Sequence, residues 1–531
     1  MPSRAGGVGP PMQDRREVEW QLEAPDPGRL AARLEALVAE GALLPPRRRR
    51  IADLYLDTAD WRLHRAGYAL RLRSAGGRAE ATMKSLAARG GDGLRDRREI
   101  SEPLPGPDAR LMRGAVGRRV RALAGRRRLR TLFRVETERA SYAIPLDGER
   151  AGTLELDASR ILAGDAAALL RRVEVEAAPG VPARELEGFV RRLREEAGLA
   201  PAGLSKYEAG LRAAGLAPPG PPDLGSEEPG PSPTLGELAF AALRAQMRRF
   251  LAHEPGTRLG EDPEELHDMR VACRRLRAAL RIFEEALPAR AGRFRRELGW
   301  VGGMLGEVRD LDVLLGMAEG WVASAPPEDR PPLLELRRAL EGRREEARRR
   351  MLRALDSRRY RGFVGEFCAF LRRGPSGRVP GAARPALRAA PGLLREQRRR
   401  VRALGDRLGP GSPPEDYHRL RRRARRLRYA VEFFSGLYGR AAEDCVLALK
   451  GLQDLLGEHQ DAEVAAQTLR RLAREERGLS PEAAFVAGEV SRGCRERARE
   501  LRKLFPRRYA GAGGRPWRRL RDEMERRVPE G

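Results

Sequence analysis

Residues 267–277 read HDMRVACRRLR and residues 418–428 read HRLRRRARRLR. His267, Arg270, Arg274, Arg275, Leu276 and Arg277 recur as His418, Arg421, Arg425, Arg426, Leu427 and Arg428, at a constant offset of 151 residues. The same offset carries Leu305-Gly306 and Asp310 onto Leu456-Gly457 and Asp461. Loose arginine-rich composition does not hold register over such a stretch, so the C-terminal part is a duplicated unit. At roughly 100° per residue, His267, Arg270, Arg274 and Arg277 fall in a helical sector about 80° wide. Guanidinium groups stacked in such a stripe repel one another unless a polyanion lies along it, each planar fork gripping phosphate oxygens.

The totals agree. A net charge of +28 and a pI near 11.1 concentrate any anion around the protein. Only four lysines, Lys84, Lys206, Lys450 and Lys503, stand among 104 basic residues, a bias that also fits a GC-rich genome, so placement carries more weight than bulk charge. Aromatic residues are 5% of the chain and do not interleave with the basic runs, which argues against a base-stacking platform and leaves nucleic acid as a competing polyanion. None of the four lysines completes a GxxxxGK[ST] phosphate loop. The N-terminal residues lack an apolar signal core, and no stretch approaches the roughly 18 apolar residues of a membrane span. Cys273, Cys368, Cys445 and Cys494 are scattered without a CxxC pair, as in a reducing cytosol. A soluble cytoplasmic protein without membrane attachment is expected.

Residues 213–234 are dense in Pro and Gly and read as a linker. Before them, alternating runs such as REVEWQLE, YALRLRS, AEATMKSLA, REISEPL, TLELDAS and VEVEA indicate antiparallel sheet with some helices over residues 15–212. After them, Leu/Ala/Arg segments with three- and four-residue apolar spacing predict an all-helical domain over 235–510, with repeat halves at about 235–373 and 386–510. Residues 1–14 are expected to be disordered and 511–531 to form a tail.

Within the N-terminal domain, charges recur at period two, where a strand turns them to one face: Glu17 with Glu19, Arg71 with Arg73, Arg97 with Glu99, Glu155 with Asp157, and Glu174 with Glu176. Any one pair fits a solvated sheet face. Five pairs of both signs also fit the lumen of a barrel, with carboxylates holding Mg²⁺ or Mn²⁺ and cations holding a phosphate chain.

The segments EVEWQ (17–21), YLDTADWRLHRAGYALRLR (55–73), TMK (82–84), RREI (97–100), LELD (154–157), VEVE (173–176) and SKYEAG (205–210) together resemble the CYTH, or triphosphate tunnel metalloenzyme, family. The resemblance implies an α+β domain with an eight-stranded antiparallel tunnel that hydrolyses or cyclises triphosphates with Mg²⁺ or Mn²⁺. It implies a metal-binding set of Glu17, Glu19, Asp157, Glu174 and Glu176, and a phosphate-binding set of Arg71, Arg73, Lys84, Arg97, Arg139 and Lys206. Glu17, Glu19, Lys84 and Lys206 are the implied catalytic groups. The family pattern opens ExExK, whereas this chain has Gln21 at the lysine position. An amide donates a hydrogen bond but neutralises no charge, and one charge-assisted contact is worth roughly 1.5–3 kcal/mol.

HDMRVACRRLRAALRIFE, LGEVRDLDVLL, YHRLRRRARRLRYAVEFF and LKGLQDLLGEHQDAEVAA resemble the CHAD domain, named for conserved histidines in an α-helical fold. This implies two pseudo-twofold-related four-helix bundles around a basic groove for inorganic polyphosphate. His267, Arg270, Arg274, Arg277, His418, Arg421, Arg425 and Arg428 would line it, with Lys450 as a further contact. Paired histidines as metal ligands are disfavoured by the surrounding arginines. Asp310 and Asp461 read as partners of the cassette arginines, His459 as structural, and His64 and His253 carry no signal.

The expected activity is that of an inorganic triphosphatase, a phosphoric anhydride hydrolase acting on triphosphate or short polyphosphate. The helical domain would bind long chains and hold the protein at polyphosphate granules. A non-catalytic polyphosphate receptor, an adenylate cyclase and a thiamine triphosphatase remain alternatives.

Overall fold

In the segment Glu17-Val18-Glu19-Trp20-Gln21-Leu22 all but Val18 are buried, yet the charged and apolar members are buried in different places. Trp20 and Leu22 join an apolar cluster, while Glu17, Glu19 and Gln21 line a cavity. The computed structural model describes residues 13–87, 91–146, 149–475 and 478–527, in two units divided after Pro221.

The first unit contains β1 (Gln13–Glu23), α1 (Pro27–Ala39), β2 (Arg47–Thr58), α2 (Arg62–Arg65), β3 (Tyr68–Ala75), β4 (Arg78–Ser85), β5 (Leu94–Leu104), α3 (Ala115–Ala124), β6 (Leu129–Leu146), β7 (Glu149–Ala163), β8 (Ala166–Ala177), α4 (Arg184–Ala197), β9 (Ala200–Pro201) and α5 (Lys206–Ala213). The strand order β5-β4-β3-β2-β6-β7-β8-β1 closes through an additional β5–β1 pairing, and every pairing is antiparallel. This is the expected eight-stranded tunnel. β2 and β6 are strands beyond the alternating runs named above; Arg47–Arg50 gives β2 an unbroken basic start that hides its alternation. Gly76 and Gly77, at φ 54° and 75°, form the two-residue turn between β3 and β4 that demands two left-handed residues.

Closure gives the barrel a polar lumen and puts its apolar packing outside. Trp20, Leu22, Leu154, Val173 and Val175 pack with Leu30 and Leu34 of α1 and Leu186, Val190 and Leu193 of α4. A second cluster, with Tyr55, Phe133, Tyr207 and Leu211, lies around α5. The segment expected to be disordered lies outside the described residues up to position 12, and β1 begins at Gln13.

The second unit is helical: α6 (Leu235–Ala252), α7 (Glu254–Leu259), α8 (Pro263–Ile282), α9 (Ala291–Ser324), α10 (Arg330–Asp356), α11 (Arg358–Arg373), α12 (Ala386–Gly405), α13 (Pro414–Phe433), α14 (Ser435–Glu475), α15 (Pro481–Gly513) and α16 (Arg515–Arg527). The 151-residue offset carries both ends of α8 onto those of α13, and the starts of α6 and α10 onto those of α12 and α15. Equivalent residues also touch each other. Thr234 bridges Pro385, and the rings of Phe283 and Phe434 lie 5.4 Å apart. Contacts between counterparts are what an axis of twofold relation produces.

One boundary moves. The expected tail from residue 511 instead completes α15 and forms α16, whose Trp517, Leu520 and Met524 are buried in the core of this unit. Those three apolar residues among arginines recur at helical spacing, which is enough to seat one face. Part of the linker is also docked: Leu224 is buried in the same core, and Arg244 Nη1 donates to the Ser226 carbonyl at 2.9 Å.

Candidate functional site

The tunnel encloses a cavity of about 230 Å³ lined mainly by charged side chains. Its acids come mainly from the adjacent strands β1, β7 and β8: Glu17, Glu19, Glu155, Glu174 and Glu176. Its bases come mainly from β3, β4 and β5: Arg71, Arg73, Lys84, Arg95 and Arg97. Arg139 on β6 and Lys206 at the start of α5 add two further cations, while Glu80 and Glu99 bring carboxylates from β4 and β5. Lys206 is placed by a capping box, in which Ser205 accepts from the Glu208 N–H and the Glu208 carboxylate accepts from the Ser205 N–H.

Opposite charges meet across strands throughout. Lys84 Nζ lies 2.7 Å from both Glu17 and Glu99, and Arg97 donates to Glu19 at 2.5 Å and to Glu17 at 3.3 Å. Arg15 reaches Glu176 at 3.2 Å. Arg139 and Lys206 each reach Glu174 at 2.9 Å and both also pair with Asp157. Arg73 holds Asp53 through two bonds of 2.8 and 2.9 Å. Burial opposes ionisation of Asp53, but Arg71 and Arg73 outweigh it and pull its carboxyl down to about 2. Burial likewise opposes ionisation of Glu99, and Lys84 with Arg71 holds its pKa well below the usual range.

Glu19 departs from this pattern. Burial and the neighbouring charges of Glu17 and Glu174 push its carboxyl up to about 7, against the pull of Lys84 and Arg97. Gln21 adds a hydrogen bond to Glu19 but no charge: its Nε2 donates at 2.8 Å, and its Oε1 is buried without a hydrogen-bond partner.

All six phosphate-binding residues expected from the sequence line this one cavity, as do Glu17, Glu19, Glu174 and Glu176. Asp157 does not. It is fully buried beneath Arg139 and Lys206, so it acts on those two cations rather than on anything in the lumen. The sequence reading passed over Arg15, Arg49 and Arg95. Arg15 extends the same-face series of Glu17 and Glu19 and was detectable by carrying that period outward.

In the helical unit, α8 and α13 bring the two cassettes together in a groove of about 270 Å³, lined by His267, Arg270, Arg274, His418, Arg421 and Arg425. Glycines of the next helix make room for the stripe. A Cβ at Gly306 or Gly457 would lie 3.3 Å from Arg270 or Arg421, and Arg277 rides over Gly299 and Gly302. Burial together with Arg421 and Arg274 lowers the Arg425 pKa to about 9, a measure of how crowded the cations are. Asp310 and Asp461 also line the groove, and Asp310 pairs with Arg270 at 3.4 Å.

Three expected groove residues stand outside this lining. Arg428 is held by Glu432 at 2.8 Å and Gln453 at 3.0 Å, Arg277 lies over α9, and Lys450 is exposed. Two residues were missed: Arg309 and Gln460, counterparts under the offset, which line the groove with His267 and His418. His418 Nδ1 donates to Gln460 Oε1 at 2.7 Å, leaving Nε2 for a ligand. His459 is structural: its Nε2 accepts from Arg502 at 3.0 Å, and burial with the nearby Arg502 and Arg421 pulls its pKa down to about 4.

Comparison with known proteins fits both halves. The CYTH domain family matches residues 16–210, and the CHAD domain family matches residues 241–470. The chain is a CYTH domain followed by a CHAD domain. Two uncharacterised proteins of Mycobacterium tuberculosis are 28% identical over 290 residues, 54% of this chain and 53% of each of theirs. The chain therefore spans about half the length of the curated relatives it matches. Among solved structures, the CHAD domain from the plant Ricinus communis is 27% identical with a TM-score of 0.47, over 56% of this chain and 97% of that one. PptA from Streptomyces chartreusis is 25% identical with a TM-score of 0.42, over 52% and 99%. A putative adenylyl cyclase from Hippeastrum, itself showing a dominant triphosphatase activity, is 21% identical with a TM-score of 0.28, over 38% and 97%.

The CYTH family acts on triphosphates with a divalent metal. Among the described residues, no three His, Cys, Asp or Glu side chains converge as a ready-made metal site. The donors nevertheless suit a hard cation: Glu17, Glu19 and Glu176 offer oxygen only, from adjacent strands, and the repulsion of Glu19 by Glu17 and Glu174 is one that a cation would relieve. Among the described residues no helix is long and apolar enough to cross a membrane.

Proposed function

We propose that the tunnel hydrolyses inorganic triphosphate or short polyphosphate with Mg²⁺ or Mn²⁺, and that the helical groove binds long-chain inorganic polyphosphate. The observation that carries the reading is one cavity whose lumen carboxylates come mostly from β1, β7 and β8 and whose cations come mostly from β3, β4 and β5, with Arg15, Glu80 and Glu99 among the exceptions. Arg71, Arg73, Lys84 and Arg97 would exchange their internal carboxylate partners for phosphate oxygens, orienting the chain and stabilising charge that develops on it. Lys206 and Arg139, held from behind by Asp157, would position the far end of the chain. Glu17, Glu19 and Glu176 would hold the divalent cation, with Glu174 beside them. The bound cation would polarise phosphoryl oxygens and help to orient the attacking water. No side chain becomes covalently phosphorylated in this scheme.

The test is phosphate release by the full-length protein from tripolyphosphate, long-chain polyphosphate, ATP and thiamine triphosphate with Mg²⁺ or Mn²⁺. Turnover of tripolyphosphate that disappears in Glu19→Ala supports the enzyme. Gln21 favours a second reading, a non-catalytic polyphosphate receptor, because it leaves Glu19 without the cation of the family pattern. Tight tripolyphosphate binding without release under every metal condition would establish that reading instead. In either case the groove would tether the protein to polyphosphate granules, and duplex DNA would compete only as a generic polyanion.

A further inference from the structure

The twofold relation in the helical unit is broken at one pair of positions. On one side of the axis, Arg275 of α8 meets Glu432 of α13 at 2.6 Å, and Glu432 also takes Arg428 at 2.8 Å. The 151-residue offset converts that contact into its mate: Arg275 becomes Arg426, and Glu432 becomes Arg281. Where one side has an ion pair, the other has two cations.

The surroundings strengthen the difference. Arg422 and Arg295 correspond to Val271 and Val446, so the mate gains two further charges that the paired side lacks. Among the described residues, Arg295, Arg422 and Arg426 have no hydrogen bond or ion pair, and Arg281 has only Glu284 at 2.9 Å. Arg423 donates to the Arg400 carbonyl at 2.8 Å, which brings α12 alongside the cluster. Burial and then Arg281, Arg400, Arg422 and Arg295 lower the Arg426 pKa, and the acids at hand, Glu284 and Glu396, pair with Arg281 and Arg400 rather than with Arg426.

Along α8 the cluster follows the groove residues, beyond the groove's own lining. Arg270, Arg274, Arg277 and Arg281 share one stripe of α8, and about 10 Å of helix separates Arg274 from Arg281. The equivalent stripe on α13 ends in Glu432. A track in which guanidinium groups outnumber the carboxylates beside them costs folding energy and makes sense if an anion lies along it.

We propose that Arg281, Arg295, Arg422 and Arg426 form a one-sided extension of the groove that takes further phosphate groups of a long condensed-phosphate chain, while Glu432 closes the opposite end. The chain is thereby given a direction: it overruns the groove at the Arg426 end only. This rests on the reading of the groove as a polyphosphate site.

The experiment measures long-chain polyphosphate affinity of the full-length protein across a salt series for the wild type, for Arg422→Gln/Arg426→Gln, and for the groove variant Arg274→Gln/Arg425→Gln. The extension variant is expected to bind about tenfold more weakly with a log–log salt slope smaller by about 1–2, and to melt no lower than the wild type because like charges have been removed. Wild-type affinity and slope in the extension variant, alongside weakened binding in the groove variant, overturn the extension and leave the groove reading standing. A lowered Tm in the extension variant overturns it as well, by showing that the cluster holds the fold. Equal affinity of all three proteins removes the groove reading itself. Loss of duplex DNA binding alone, with polyphosphate binding unchanged, also counts against the extension.

Discussion

The two charged cavities of this chain handle their charge in opposite ways. In the tunnel nearly every cation has a carboxylate within reach, as Lys84 does with Glu17 and Glu99 and Lys206 with Glu174. In the groove, six cassette residues are accompanied by two carboxylates, Asp310 and Asp461. A cavity balanced by its own ion pairs can exchange partners with a substrate and a metal and recover them when product leaves. A cavity with excess positive charge gains more from a polyanion the longer that polyanion is. The contrast is between a site suited to turnover and a site suited to retention.

The strongest way to break that contrast is Glu19→Ala. It should reduce triphosphate hydrolysis by about 10²-fold or more while leaving long-chain polyphosphate affinity unchanged, measured by phosphate release and by titration on the same preparation. Parallel loss of both would show that the cavities do not work separately. Next comes the groove variant Arg274→Gln/Arg425→Gln, expected to weaken long-chain binding by about tenfold or more, with a salt slope smaller by about 2 and kcat for tripolyphosphate unaltered.

Gln21→Lys sharpens the comparison from the other side. Restoring a cation beside Glu19 should raise kcat/KM by about tenfold, the equivalent of one charge-assisted contact. It should also move the acidic limb of the pH profile. Glu19 is pushed up to about 7, so its carboxylate fills in only as pH rises through that value, and a new lysine should shift the limb to lower pH. An unshifted limb would mean that Glu19 does not set it.

The smallest effect concerns stability of the helical unit. His459 is held neutral with a pKa of about 4, below its ordinary value, so the unfolded chain binds the proton more readily. Its contribution is present above about pH 6.5 and is lost as pH falls towards 4. A decline of roughly 1–3 kcal/mol over that window, read as a few degrees of Tm, should be flattened in His459→Gln.

Much of this was legible before any coordinates. The duplicated cassette announced the helical repeat, and the period-two charges named nine of the lumen residues, because both are local periodicities that a chain displays in one dimension. One strand escaped notice for a local reason as well: Arg47–Arg50 offers no polar–apolar alternation, so the start of β2 is visible only through its pairing with β6. The final helix was mistaken for a tail because its three core residues are diluted by arginine. Arg309 and Gln460 were invisible for a different cause, since they reach the groove from the helices that follow the cassettes.

What the sequence by itself determined is the period, the sign of charge and the offset: which residues share a face, that the helical unit is doubled, and that Gln21 interrupts a cationic position. The tertiary structure decided what lies opposite each face. The β5–β1 pairing turned one charged face into a lumen, Asp157 was set behind Arg139 and Lys206 instead of beside Glu17, and Arg426 was left facing Arg281 while Arg275 received Glu432. The physical reason is that periodicity specifies direction about an element's own axis, whereas charge compensation depends on distances between segments far apart in the chain.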